Sequence, residues 1–195
     1  MKYILSVGLA ACAAIALYFI AFQGEVDAPE NSASALRSKP SGRILQYGIY
    51  ERVRGGRIVD SEKTTTGKAV SGVTIQQVEQ TERVPAEKDV YFSYQYRLSG
   101  IESNSGAKNG VINLKRVLTH PPIILPDGRT KTGSEYMIRG TVKRGEVFAF
   151  DGYAFNESYE LVEGPWVFQI WYKGTKLVEQ TFISYMPGKA AGDQS

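Results

Sequence analysis

From Arg43 onward, apolar and polar residues alternate in short runs separated by turn signals. That is the pattern of strands rather than helices. The clearest run is Val90 to Leu98, where Phe92, Tyr94, Tyr96 and Leu98 fall on one face and Ser93, Gln95 and Arg97 on the other. A period of two over that length predicts a half-buried strand. Ile44 to Val53 is closed by Gly55-Gly56, Arg57 to Thr66 by Gly67, and Val73 to Arg83 is followed by Pro85. Asn109-Gly110 opens Val111 to Thr119, which His120-Pro121-Pro122 is expected to stop. Ile123 to Leu125 leads into the turn Pro126-Asp127-Gly128. Glu135 to Lys143 and Glu146 to Asp151 flank Arg144-Gly145. Trp166 to Tyr172 and Lys176 to Tyr185 flank Lys173-Gly174-Thr175, which reads as a hairpin.

No window of a dozen residues after the apolar segment of residues 1–22 carries a convincing stripe at 3.6-residue spacing. The expectation is an all-β domain over residues 43–187, with about eight or nine strands in two packed antiparallel sheets and little helix. An open barrel is the alternative architecture. Residues 188–195 read as a disordered tail.

The chain begins differently. Tyr3 to Phe22 contains no charge, and only Ser6 is clearly polar. As a helix these residues would span about 30 Å, the hydrocarbon thickness of a bilayer. Lys2 stands before the run, and Glu25, Asp27 and Glu30 stand after it. The positive-inside tendency then places the remainder of the chain outside the cytoplasm. Residues 1–22 are expected to be an apolar helix serving as membrane anchor or signal segment. Residues 23–42, polar and rich in Ser, Ala, Pro and Glu, are expected to be a flexible spacer. A cleaved signal would use Val26-Asp27-Ala28, though Pro29 follows and hinders the cut. Leu9-Ala10-Ala11-Cys12 has the residues of a lipoprotein box, but little apolar sequence precedes Cys12 and a strongly apolar stretch follows. Anchoring, cleavage and lipidation all stay open on the sequence.

Composition sharpens this picture in three places. Twelve Tyr, eight Phe, two Trp and twenty Gly favour strands joined by tight turns. The net charge is only +3 and both signs alternate along the chain, so no stripe is set to neutralise phosphates. A nucleic-acid partner is therefore not expected. Cys12 is the single cysteine, so the folded part has no internal disulfide. A eukaryotic secreted domain of this size more often carries a pair, which tilts the source towards bacteria.

The C-terminal half has a recognisable cadence. Tyr159-Glu160-Leu161 leads to Gly164-Pro165-Trp166 and Phe168-Gln169-Ile170-Trp171, followed by Gly174, Leu177 and Phe182. Tyr47-Gly48-Ile49-Tyr50, Val84-Pro85-Ala86 before Val90-Tyr91-Phe92, and His120-Pro121-Pro122 fit the same picture. Over about residues 43–185 the chain resembles a bacterial family of unknown function, small exported proteins with an immunoglobulin-like sandwich. The resemblance implies that fold and an envelope location. It brings no functional residues with it.

Catalytic chemistry finds little to work with. A Ser-His-Asp triad would have to use His120, which two prolines follow and which is expected at a strand end. Ser105 and Lys108 have the spacing of a Ser-x-x-Lys dyad, yet they lie in Ser103-Asn104-Ser105-Gly106-Ala107-Lys108-Asn109-Gly110, a loop sequence. Zinc, calcium, phosphate-loop and dinucleotide patterns are missing, and no cofactor is expected. Asp151 with Glu157 or Glu160 is the carboxylate pair to examine for glycoside hydrolysis.

What is left is surface. If Trp166, Phe168 and Ile170 point inward, Val167, Gln169 and Trp171 point outward, and Trp171 next to Tyr172 is the candidate contact. The reading is a non-catalytic module that binds an envelope protein partner by adding a strand at an open sheet edge. It would be held in a bacterial inner membrane through residues 3–22 with its globular domain in the periplasm, or be secreted there after cleavage. The alternative is a glycan- or lipid-like-ligand-binding domain using Trp171 and Tyr172.

Overall fold

The structure, a computed structural model, describes residues 39–188 except 63 and 66. Nine strands run in chain order: β1 (Ser41–Asp60), β2 (Lys68–Glu79), β3 (Arg83–Pro85), β4 (Tyr91–Ser99), β5 (Gly110–Ile124), β6 (Thr130–Val142), β7 (Glu146–Ala154), β8 (Gly164–Tyr172) and β9 (Thr175–Tyr185). A single 3₁₀ turn, Ser158–Glu160, precedes β8. One sheet has the order β2-β1-β4-β7 and the other β3-β9-β8-β5-β6. Every pairing is antiparallel except β3 beside β9. The two sheets form a β-sandwich. The expected N-terminal helix lies outside the described residues.

The alternation that predicted the strands fills the space between the sheets. Phe92, Tyr94, Tyr96 and Leu98 from β4 meet Trp166, Phe168 and Ile170 from β8, and all are buried. Phe92 is the hub. Its ring centroid lies 5.2 Å from Phe182, 5.3 Å from Phe155, 5.6 Å from Trp166 and 6.0 Å from Phe168. Tilted and edge-on contacts of this kind suit ring quadrupoles and add to the area term. The buried Trp166 indole donates from Nε1 to Ser184 Oγ at 3.0 Å.

Four local expectations change. Gly55-Gly56 does not end a strand: β1 runs through it, pairing Gly55 with Val73 and Arg57 with Ser71, beside a register shift at Arg52/Arg54. Glycine next to an irregular register is a bend rather than a stop. His120-Pro121-Pro122 does not end β5 either. The pairing of β5 with β8 is over by Thr119, and its register with β6 skips between Thr119 and Ile123. The prolines therefore sit where no ladder needs their missing N–H. Arg83–Pro85, expected as the close of the Val73–Arg83 run and the proline after it, instead forms the short strand β3 beside the end of β9. β1 also starts at Ser41, within the stretch assigned to the spacer.

Candidate functional site

His120 is buried inside β5 rather than placed at a strand end. Its ring stacks on Trp166 with centroids 4.9 Å apart. Nδ1 lies 2.7 Å from the Pro121 carbonyl, so it carries the proton, and Nε2 accepts from the Thr65 hydroxyl at 3.0 Å. Burial lowers the pKa, and the carbonyl contact only partly opposes it. The histidine joins the β1–β2 turn to the second sheet, and both ring nitrogens are engaged in that task. Ser105 and Lys108 lie in an irregular loop, where the Ser105 hydroxyl contacts Ser103 Oγ at 2.9 Å.

The carboxylates are likewise committed. Glu160 is buried and receives the backbone N–H groups of Asn156 and Glu157 at 2.6 and 2.9 Å, and the Tyr153 hydroxyl at 3.0 Å. It shapes its own loop. Asp151 projects inward from β7 and meets Arg116 from β5 across the sandwich, Oδ2 to Nε 2.7 Å, with side chains 15% and 5% exposed. Tyr94 adds a longer hydroxyl contact at 3.4 Å, and the faces of Tyr136 and Phe168 lie 5.3 and 5.6 Å from the guanidinium. Burial opposes the charge on Arg116, yet Asp151 and its ring neighbours hold its pKa above the ordinary value. Asp151 Oδ1 also accepts from the Gly152 N–H at 2.8 Å. Among the described residues, no three His, Cys, Asp or Glu side chains gather as metal ligands.

Trp171 and Tyr172 point to opposite faces of β8. Tyr172 is only 5% exposed and turns its hydroxyl towards the Glu102 carbonyl at 3.4 Å. Trp171 is half-buried on the outer face. Lys115 Nζ sits 5.2 Å from its ring centroid, and its Nε1 donates to Gln169 Oε1 at 3.0 Å. The two do not make a joint platform. A cavity of about 300 Å³ between the 61–67 turn and the β5–β6 turn is lined by Glu62, Thr64, Thr65, Leu125, Arg129 and Lys131. Its mixed charge singles out no ligand class.

The surface that stands out was missed on the sequence. β7 is the outermost strand of its sheet, and its outward-facing Phe148 and Phe150 are 66% and 51% exposed. The signal lay in the run Val147 to Asp151, where the largest side chains alternate with Val147, Ala149 and Asp151. Period two predicted the strand but left open which set faced the core.

Among the described residues, two facing sheets with an aromatic core and almost no helix define the class, an immunoglobulin-like β-sandwich. An immunoglobulin-like protein from Pseudomonas aeruginosa, known from its crystal structure, aligns with a TM-score of 0.50 over 77% of this chain and 99% of its own, at 22% identity. At that identity the likeness establishes the fold alone. Residues 38–183 match the family described as a domain of unknown function, DUF3859. The chain belongs to that family. No curated protein matches it. Among the described residues no helix is long and apolar enough to cross a membrane.

Proposed function

We propose that this chain is a non-catalytic interaction module of the bacterial envelope, recruiting a protein partner by strand addition at β7. The observation that carries the reading is the pair of bared phenylalanines on an outermost strand. An edge of this kind offers backbone groups for affinity and alternate side chains for selectivity. The engagement of His120, Asp151 and Glu160 in structural contacts supports a role without chemistry. The apolar run Tyr3 to Phe22 supports delivery to the envelope, as an anchor or as a cleaved signal. A glycan platform is less favoured, because it needs the open ring face over which Lys115 lies.

Cross-linking in cells carrying a tagged full-length chain tests this. A specific partner should be recovered above a control bearing only residues 1–42. Equal recovery from both would remove the reading. A C-terminal alkaline phosphatase fusion should be active, and a fusion working only in the cytosol would remove the envelope assignment.

A further inference from the structure

We propose that the strand received by β7 is β7 of a second copy of this chain, paired antiparallel about a two-fold axis at Ala149. The proposal rests on the reading of β7 as a docking edge and names its occupant.

The four sheet edges differ. β3 has three residues, too few to template a partner. The outward row of β6 carries Lys131, Glu135 and Arg139, charges that discourage pairing. The described outward positions of β2 are Thr74, Gln76 and Val78, polar but for the last. β7 has no such guard between Glu146 and Asp151: its outward row there is Phe148 and Phe150.

Backbone bonding narrows the open stretch further. Phe155 N–H donates to the Val90 carbonyl, which sets the phase of the β4–β7 ladder. In an antiparallel pair, hydrogen-bonded and non-hydrogen-bonded positions alternate. Val147, Ala149, Asp151 and Tyr153 therefore exchange bonds with β4, and Glu146, Phe148, Phe150 and Gly152 turn their groups to the free side. Two of those four are already occupied. Glu146 exchanges both its backbone bonds with Lys143, at 2.8 and 3.0 Å. The Gly152 N–H is held by Asp151 Oδ1. The open edge is thus centred on Phe148 and Phe150, each with one N–H and one C=O facing outward.

This short edge is complementary to itself. With Ala149 on the two-fold axis, Phe148 of one copy lies opposite Phe150 of the other, and the reverse. The open donors and acceptors of the two phenylalanine pairs then satisfy one another. Directly opposed positions share a face, so the rings meet as cross-strand aromatic pairs on the outer surface. Ala149, small and turned inward, faces its own equivalent without crowding. Glu146, whose outward groups Lys143 already takes, and Gly152, whose N–H Asp151 holds, lie outside this short ladder, so it is confined to Phe148–Phe150. A closed, isologous contact of this kind is the commonest way for a chain to bind its own copy.

The test uses the full-length chain in detergent, with mass measured by light scattering across a concentration series. Two double variants accompany it, Phe148→Lys/Phe150→Lys and Phe148→Glu/Phe150→Glu. Both positions are solvent-exposed, so far-ultraviolet circular dichroism should match the parent. The parent should dimerise. Each double variant should lose dimer by at least about tenfold in association constant, because like charges are forced together. An equimolar mixture of the two variants should regain it, lysine facing glutamate. A parent monomeric at every concentration overturns the proposal, as does a dimer unchanged by the lysine variant, which would place self-association elsewhere. A monomeric parent whose cross-linked cellular partner disappears with the lysine variant overturns the second copy while leaving the docking edge standing. Neither dimer nor partner removes both.

Discussion

Asp151 answers to three neighbours at once: Arg116 through Oδ2, the Tyr94 hydroxyl beside it, and the Gly152 N–H through Oδ1. It therefore ties the two sheets together and closes one end of the free edge of β7. Asp151→Ala should cost about 3–5 kcal/mol in urea unfolding, because Arg116 is left charged in an apolar interior. The double change Asp151→Leu/Arg116→Met should lose much less than the two single changes together. His120 sets a pH dependence. Its unfolded pKa is near 6.5 and its folded value is lower, since burial favours the neutral ring. Its contribution is fully present above pH 6.5 and fades as pH falls towards the folded value, where the unfolded chain takes up a proton that the native ring resists. Thermal melting from pH 8 to 5 should show the decline, and His120→Gln should flatten it. Neither arrangement was legible in the sequence. Asp151 was singled out only as a carboxylate to set beside Glu157 or Glu160, nothing in the sequence joined it to Arg116, and the partners of His120, Thr65 and Trp166, lie far along the chain in both directions.

At the scale of the strand, alternation was the dependable signal. It placed Phe92, Tyr94, Tyr96 and Leu98 in the core, and likewise Trp166, Phe168 and Ile170, because β4 and β8 are inner strands with a neighbour on each side. It misled where glycine and proline were treated as stops. Gly55 is carried through by its pairing with β2, and Pro121 and Pro122 by the end of the β8 ladder. Gly48 has a stricter role. Its φ is +146°, and a Cβ there would come within 1.9 Å of the Glu79 carbonyl oxygen. Gly48→Ala should destabilise by on the order of 1–3 kcal/mol or more, since β1 and β2 must part to admit the methyl. Chemical denaturation would measure it, and an unchanged midpoint would contradict the close approach.

Among the described residues, every strand but β2 contributes to one hydrophobic cluster, so the domain should unfold as a unit. Residues 39–188 expressed alone should lose tryptophan fluorescence and strand circular dichroism in one coincident urea transition. Separate transitions would mean that the sheets do not depend on each other. The sandwich was legible because hydrophobic period and turn spacing are local. Strand order was not, because it depends on pairings between distant segments such as Arg43 with Arg97 or Lys115 with Trp171. The candidate edge was hidden for the same reason: Phe148 and Phe150 matter only because, among the described residues, no strand follows β7 in its sheet. That order, β2-β1-β4-β7, has a mechanical consequence. A pull entering ahead of Ser41 and resisted by a strand docked on β7 crosses two antiparallel ladders, β1 with β4 and β4 with β7, each with nine paired positions. Tension along the strands shears those bonds together instead of peeling them one after another. The five-stranded sheet stands outside that route and carries none of the load directly.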